Sequence, residues 1–166
     1  MHVIDLFCGC GGFSEGARQA GANVILAIDA WQGALDVHKA NHPDTIHICE
    51  SLGGDVHEFS EFLIGFIDLH VPKRASLHVH ASPPCQSLSG ANAIRNEDLG
   101  MTLVNWYLEL TGILQLQLKD MEFTWSMEQV PNKKICELID VHGGVKVDMS
   151  NFGIPQTRRR VFLGTL

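Results

Sequence analysis

A glycine-rich turn between a short apolar strand and a helix is the feature that most constrains this chain. Residues 2–7 (HVIDLF) are predicted to form a strand, residues 8–12 (CGCGG) end it, and a helix is expected over 13–20. Glycines let a ligand approach the backbone, and the N-terminus of the following helix faces that ligand. This order is typical of the opening unit of a nucleotide-binding α/β fold. The spacing is not G-x-G-x-x-G and no P-loop lysine follows, so a dinucleotide or a triphosphate is disfavoured.

The rest of the chain continues the alternation of strands with helices. Hydrophobic patterns predict strands at 23–28, 45–48, 76–79 and 122–128, and helices at 32–41, 56–66, 101–119 and 132–140. Two last strands, at 145–149 and 160–166, are expected to pair as an antiparallel edge. The predicted fold class is therefore α/β, a doubly wound, mostly parallel sheet with helices on both faces.

The long helix and the loop before it are predicted to differ in character. The loop at residues 86–100 is long and polar, and we expect it to be mobile. The helix at 101–119 carries an apolar stripe at three-and-four spacing, which we interpret as core rather than as a binding face. The stripe consists of Leu103, Trp106, Tyr107, Leu110, Leu114 and Leu118.

Composition places the chain among ordinary globular domains. Its 166 residues are 45% hydrophobic, enough to bury a core as one domain. No apolar run approaches the roughly 18 residues that span a bilayer, so we expect a soluble, intracellular protein, cytoplasmic or, in a eukaryote, nuclear. The five cysteines lack C-x-x-C pairs, which favours reduced thiols and argues against a structural metal site.

Charge is distributed unevenly along the sequence. The formal net charge of −7 is unfavourable for holding nucleic acid by its phosphates. Residues 133–166, however, carry six basic and three acidic side chains, and Arg158, Arg159 and Arg160 are adjacent. These arginines are either part of a basic face or a solvated loop, and charge alone does not decide between the two.

Cys85 is the strongest candidate for a nucleophile. It follows the predicted strand at 76–79 and two prolines, which forbid further strand pairing and place the thiol at the carboxyl end of the sheet. Open α/β sheets bind their ligands at that edge. A free cysteine is more often a small buried hydrophobe. The double proline favours the functional interpretation, because a rigid backbone fixes one trajectory for the side chain.

Acidic residues follow three other predicted strands. Asp29 lies about twenty residues beyond the glycines, where a carboxylate can accept hydrogen bonds from ribose hydroxyls, and Trp31 can lie against a base. Both residues can equally begin the next helix, as a cap and a packing aromatic. Asp55 is either a ligand for an adenine amino group or a helix cap. Glu128 ends the strand next in order to that of Cys85, and we prefer a catalytic role for it because burying an unpartnered carboxylate is costly.

Several motifs stand in the order found in the cytosine-5 DNA methyltransferases, and the chain resembles that family over nearly its whole length. The motifs are DLFCGCGGFSEG at 5–16, DAW at 29–31, GDV at 54–56, PPCQ at 83–86, MEQV at 127–130 and NFGIPQTRRR at 151–160. The resemblance implies the Rossmann-like fold of S-adenosylmethionine-dependent methyltransferases.

The resemblance also implies S-adenosylmethionine as the cofactor. Phe7 would stack on the adenine between Trp31 and Val56, the glycine turn would approach the methionine part, Asp29 would bind the ribose and Asp55 the adenine amino group. The cofactor-binding residues implied are Phe7, Cys8, Gly9, Gly11, Gly12, Phe13, Asp29, Ala30, Trp31, Asp55, Val56 and Pro84.

The implied chemistry is methyl transfer to carbon 5 of a cytosine flipped out of DNA. The Cys85 thiolate would add to carbon 6, which turns the ring into an enamine that attacks the methyl group. Glu128 would hold N3 and the exocyclic amine, Arg160 would contact the O2 carbonyl, and Arg158 would help to order Glu128.

The chain departs from the family pattern at three points. Gln129 stands where the family usually has asparagine, His78 and His80 make the fourth strand more polar than expected, and the target-recognition region and C-terminal helix are absent. We therefore expect residues 1–166 to be one incomplete catalytic domain with an exposed apolar patch around the first helix and last strands, completed by a second polypeptide or by self-association. An inactive remnant or cofactor-binding module, and a methyltransferase acting on tRNA, remain as alternatives.

Overall fold

The computed structural model describes residues 1–86, 88 and 97–165, with the backbone alone for 97–99. The strands are β1 (His2–Leu6), β2 (Asn23–Asp29), β3 (Ile46–Cys49), β4 (Ser76–Ala81), β5 (Glu122–Gln129), β6 (Gly144–Asp148) and β7 (Arg159–Gly164). The helices are α1 (Gly12–Gln19), α2 (Gln32–Asn41), α3 (Val56–His70), α4 (Glu97–Gln117) and α5 (Lys133–His142), and a 3₁₀ turn spans Met149–Phe152.

The strands form one sheet in the order β3-β2-β1-β4-β5-β7-β6. Strands β1 to β5 are parallel, whereas β7 is antiparallel to both β5 and β6. The predicted mostly parallel sheet with an antiparallel edge is therefore confirmed. Helix α3 runs four residues beyond its predicted end at 66, and α4 begins at Glu97 instead of at 101. The loop at 86–100 that was predicted to be mobile lies mainly outside the described residues, as does the last predicted strand residue, Leu166.

One face of the sheet is covered by α3, α4 and α5. Side chains alternate between the two faces along each strand, and Val79 and Trp125, paired across β4 and β5, face α4. The buried Tyr107 of α4 lies edge-on against Trp125, and its hydroxyl donates to the main-chain oxygen of Val79 at 2.7 Å. The stripe along α4 is therefore core, as predicted, since Tyr107, Leu110 and Leu114 are fully buried. Each such side chain contributes roughly 1.5–3 kcal/mol of hydrophobic stabilisation.

Helices α1 and α2 lie on the opposite face, over β1, β2 and β3. Phe13 of α1 stacks on His80 of β4, with ring centroids 3.5 Å apart, and marks the border of this covered region. Beyond it, no described helix covers β4, β5, β7 and β6 on this side. We call this region the open face, defined by the side chains of His78, Thr124, Ser126, Phe162 and Val145.

The open face is apolar only at its far end. Val145 is 47% exposed and Phe162 is half-buried, whereas the part beside α1 consists of histidine, serine and threonine side chains. The expected apolar patch is thus present near the last strands but not beside the first helix. The polar residues there make hydrogen bonds with one another across β4 and β5. Sequence patterns within either strand could not have revealed those partners.

The described residues also bear on membrane and metal binding. No helix among them is long and apolar enough to cross a membrane. Within the same ranges no three histidine, cysteine or acidic side chains are grouped so that they could hold a metal ion. All five cysteines are free thiols.

Candidate active site

A cavity of about 160 Å³ lies at the carboxyl ends of β1, β2 and β4. Its lining residues are Phe7, Asp29, Ala30, Ser51, Leu52, Ser82, Pro84 and Leu103. A second cavity of about 310 Å³ shares Ser51 and Leu52 with the first and extends to Asp55 and Trp106. Four of the predicted cofactor-binding residues, Phe7, Asp29, Ala30 and Pro84, therefore surround one cavity, and Asp55 lies at its neighbour.

The glycine turn between β1 and α1 forms one wall of this site. Phe7 has a positive φ of 55°, which is strained for a residue with a side chain and is common at functional sites. A side chain at Gly9 would meet no heavy atom within 4 Å, so the backbone there is open to a ligand. Gly11, at φ 94°, has no such room, because an added Cβ would lie 2.9 Å from the His38 ring. Gly12 begins α1, and Cys8 is buried beneath the turn, where burial raises the pKa of its thiol.

Asp29 ties this turn to the start of α2. Its Oδ2 accepts a hydrogen bond from the Gly9 N–H at 2.9 Å, and its Oδ1 accepts one from the Trp31 N–H at 2.9 Å. The carboxylate is thereby held in one orientation beside the cavity. Trp31 is the N-cap residue of α2, as the alternative interpretation expected, but its side chain is 69% exposed and not packed in the core. Its ring is available to a ligand.

Asp55 caps helix α3. Its Oδ1 accepts hydrogen bonds from the N–H groups of His57 at 2.8 Å and Glu58 at 3.1 Å, and these main-chain donors lower the pKa of the carboxyl group. The cap interpretation is thus confirmed, while the exposed carboxylate still faces the second cavity. Val56 is buried at the first turn of the same helix.

Trp106 is a site residue that the sequence did not reveal. Its stripe on α4 correctly predicted burial, but the indole N–H also donates to the main-chain oxygen of Gly54 at 3.0 Å. Its ring lies edge-on to Phe7, with centroids 6.3 Å apart. The only sequence signal for this contact was that a buried indole N–H needs a hydrogen-bond acceptor.

Three hydrogen bonds hold the loop that carries Cys85. The Ser82 N–H donates to the main-chain oxygen of Leu6 at 3.1 Å, and the Leu88 N–H donates to that of Cys85 at 3.0 Å. Gln129, fully buried on β5, donates from Nε2 to the Pro83 oxygen at 3.1 Å, and its Oε1 accepts from the Val130 N–H at 2.8 Å. The side chain of Gln129, which is longer than the asparagine expected at this position, therefore holds the nucleophile loop directly.

Glu128 and Arg160 form an ion pair at the end of β5. Arg160 Nε lies 2.5 Å from Glu128 Oε1, and the two side chains are 13% and 23% exposed, Arg160 being the more buried. Arg158 was expected to order Glu128, but the structure places Arg160 in that position. Arg158 precedes β7 and is exposed, and its main-chain N–H donates to Asp148 Oδ1 at 3.3 Å. Of the three arginines, Arg158 precedes β7 and Arg159 begins it, both with exposed side chains, whereas Arg160 is paired with Glu128.

A series of hydrogen-bonded side chains links the two elements that flank the glycine turn. Ser14 Oγ donates to Asp5 Oδ2 at 2.6 Å, His38 Nε2 lies 3.0 Å from Ser14 Oγ, and His47 Nε2 lies 2.8 Å from His38 Nδ1. Burial raises the pKa of Asp5 to about 7 and lowers that of His38 to about 4. Since Asp5 and Ser14 belong to β1 and α1, this series fixes the elements on either side of the turn.

The fold and the position of this site define the class of protein. A sheet in which an antiparallel β7 lies between β5 and β6, with a cavity at the ends of β1, β2 and β4, is the fold of S-adenosylmethionine-dependent methyltransferases. The methyltransferase EhMeth of Entamoeba histolytica has this fold, with a TM-score of 0.66 at 17% identity over 99% of this chain and 52% of that one.

Sequence comparison then gives the family. The model of the C-5 cytosine-specific DNA methylase family matches residues 1–108, and the chain belongs to this family. It is 30% identical to the Type II methyltransferase M.HgiDI of Herpetosiphon aurantiacus over 98% of this chain, and 31% identical to M.AgeI of Thalassovita gelatinovora over the same share. The chain spans 51% and 39% of the lengths of these two relatives.

Proposed function

We propose that this chain is the catalytic part of an enzyme that transfers a methyl group from S-adenosylmethionine to carbon 5 of cytosine in DNA. The observation that carries the proposal is the convergence of the Cys85 loop and the Glu128–Arg160 pair at the ends of two adjacent parallel strands. Both groups lie at the edge of the sheet that contains the cavity. Family membership supports the same reaction class.

The residues that line the two adjoining cavities support the proposed cofactor. The fixed Asp29 carboxylate would bind the ribose, Phe7 would pack on the adenine, and the exposed oxygen of Asp55 would accept from its amino group. The backbone at Gly9 has open space beside it, which leaves room for the methionine part. Bound there, S-adenosylmethionine supplies an electrophilic methyl group.

The protein's own groups then act on the base. Cys85 Sγ, as the thiolate, forms a bond to carbon 6 of cytosine, and the electron pair of the 5,6 double bond becomes available at carbon 5. The protonated carboxyl of Glu128 donates its proton to N3 and accepts a hydrogen bond from the exocyclic amine, and the proton on N3 withdraws electrons from the ring as the sulfur adds. Arg160 keeps Glu128 in place. After carbon 5 is methylated, loss of its proton and cleavage of the C6–S bond restore the aromatic ring and the thiolate.

We also propose that a further polypeptide covers the open face. Exposed Val145 and half-buried Phe162 leave apolar surface there, and the curated relatives are about twice as long as this chain or longer. Residues 133–166 supply the basic side chains for contact with DNA phosphates, whereas the rest of the chain is acidic.

A trapping experiment tests the covalent step. Duplex DNA with 5-fluorocytosine at the target position cannot lose fluorine as it would lose a proton, so the Cys85 adduct should survive denaturing electrophoresis when S-adenosylmethionine and a completing polypeptide are supplied. Cys85→Ser should abolish the adduct, while Cys10→Ser, which alters an exposed thiol, should not. An adduct that persists in Cys85→Ser would refute the mechanism. Methylation of tRNA in place of DNA would refute the substrate, and a folded chain that binds S-adenosylhomocysteine but methylates neither nucleic acid would favour an inactive remnant or a cofactor-binding module.

A further inference from the structure

Five side chains on and beside β4 and β5 form a continuous hydrogen-bonded relay from the open face to the cavity. His78 Nδ1 lies 2.8 Å from Thr124 Oγ1, and His78 Nε2 lies 2.8 Å from Ser126 Oγ. The same Ser126 oxygen lies 2.8 Å from His80 Nδ1, and His80 Nε2 lies 3.0 Å from Ser82 Oγ. Ser82 lines the cavity and precedes the Cys85 loop. The relay therefore connects a chain of titratable groups to one hydroxyl at the site.

The relay is neutral at physiological pH. His80 is almost completely buried beneath the Phe13 ring, and burial, followed by the charge of His78, lowers the pKa of His80 to about 3. Burial also lowers the pKa of His78. Each imidazole thus carries a single proton, so each ring has one nitrogen that donates and one that accepts.

The direction of hydrogen-bond donation along the relay follows from Thr124, which lies at its outer end. Either direction allows the four bonds within the relay, but only one also lets the Thr124 hydroxyl donate to the main-chain oxygen of Leu77, 3.4 Å away. In that direction Thr124 accepts from His78 Nδ1–H, and Ser126 donates to His78 Nε2 and accepts from His80 Nδ1–H. His80 Nε2 then carries no proton and accepts the proton of Ser82.

Ser82 consequently presents only lone pairs to the cavity. We infer that the Ser82 oxygen is a binding group for the α-ammonium of the amino-acid part of S-adenosylmethionine, and that His80, Ser126 and His78 are positioning residues that set its acceptor character. This inference rests on the proposed cofactor. A hydroxyl whose proton is already donated favours a cationic N–H donor over a carboxylate. Ser82 also lies beside Leu6 at the start of the glycine turn, where the methionine part is expected.

Two ligands that differ only in the ammonium group test the role of Ser82. Calorimetric titration would compare S-adenosylhomocysteine with its analogue in which hydrogen replaces the α-amino group. The wild type should prefer the amino compound by roughly tenfold, the value of one charge-assisted hydrogen bond. Ser82→Ala should remove most of this preference, whereas Ser51→Ala, which changes another cavity serine outside the relay, should keep it. An unchanged preference in Ser82→Ala would overturn the inference.

Variants within the relay separate positioning from simple packing. Ser126→Ala disconnects His80 from His78, and Thr124→Val removes the end that sets the direction while keeping the side-chain volume. Both should lower the ratio of the two affinities severalfold, whereas a merely structural role would weaken both ligands equally and would count against the inference. 5′-Methylthioadenosine, which lacks the amino-acid part, should bind the wild type and the Ser82, Ser126 and Thr124 variants alike. Failure of every adenosine ligand to bind would refute the proposed cofactor itself, a result distinct from an unchanged ratio.

Discussion

Arg160 and Glu128 are diagonal neighbours across β7 and β5, and their ion pair is mostly shielded from water. We expect Arg160→Ala to lower the free energy of unfolding by about 1–3 kcal/mol, because it leaves a half-buried carboxylate without its partner. Glu128→Gln in the same background should recover part of this loss. Urea unfolding of the two single variants and the double variant measures the coupling, and additive effects would show that the pair is not energetically linked.

Gln129 holds the nucleophile loop through a buried hydrogen bond, so its replacement should destabilise that loop. Gln129→Leu keeps the volume but leaves the Pro83 oxygen and the Val130 N–H unpaired in a buried place. We expect a loss of about 2–3 kcal/mol in unfolding free energy. Alkylation of Cys85 by iodoacetamide should also become faster in the variant, with the exposed Cys10 and Cys49 as internal references in the same digest. Equal stability and equal alkylation rates would contradict the role assigned to this amide.

The two adjacent glycines of the turn offer a matched comparison. Gly11→Ala requires a positive φ and places Cβ against His38 and His42, so we expect a loss of about 1–3 kcal/mol in stability. Gly12→Ala lies at the start of α1 with no heavy atom within 4 Å, and it should be neutral or stabilise the helix by up to about 1 kcal/mol. Thermal or urea unfolding distinguishes these outcomes. A similar loss in both variants would mean that the His38 contact is not the cause.

Buried Asp5 should make stability depend on pH. Its pKa is raised from 3.8 in the unfolded chain to about 7 in the fold, chiefly by burial, so the folded state binds the extra proton between these values. The contribution of Asp5 is therefore fully present below about pH 4 and is lost as the pH rises toward 7. His38 works in the opposite direction, since its lowered pKa costs stability as the pH falls from 6.5 toward 4.

A variant isolates the aspartate from the histidines. Asp5→Asn keeps an oxygen for the Ser14 hydroxyl but removes the titration. Its stability relative to the wild type should rise steadily between about pH 4 and 7. Urea unfolding at four pH values across that window measures the difference, and a constant difference would show that Asp5 does not titrate there.

Local sequence patterns predicted the strands, the helices and the edge of the sheet that carries the site, because strand ends, glycine turns and helix stripes depend on residues that are close in sequence. The partners of Glu128 and His80 depended on register between distant segments. Arg158 and Arg160 have similar surroundings in sequence, but β7 begins at Arg159, so only Arg160 is carried along the strand to Glu128. The polarity of His78 and His80 was visible, yet Thr124 and Ser126 lie 46 residues away on β5.

The antiparallel β7 has one further consequence for how the site is assembled. Each of the parallel strands β1 to β5 reaches the edge of the sheet that carries the site only with its last residues. Because β7 runs the other way, it starts at that edge and delivers Arg160 with its second residue. The sheet thus gathers a thiol loop after β4, a carboxylate at the end of β5 and a guanidinium near the beginning of β7, so a single reversal of chain direction places the cation of Arg160 beside the carboxylate of Glu128.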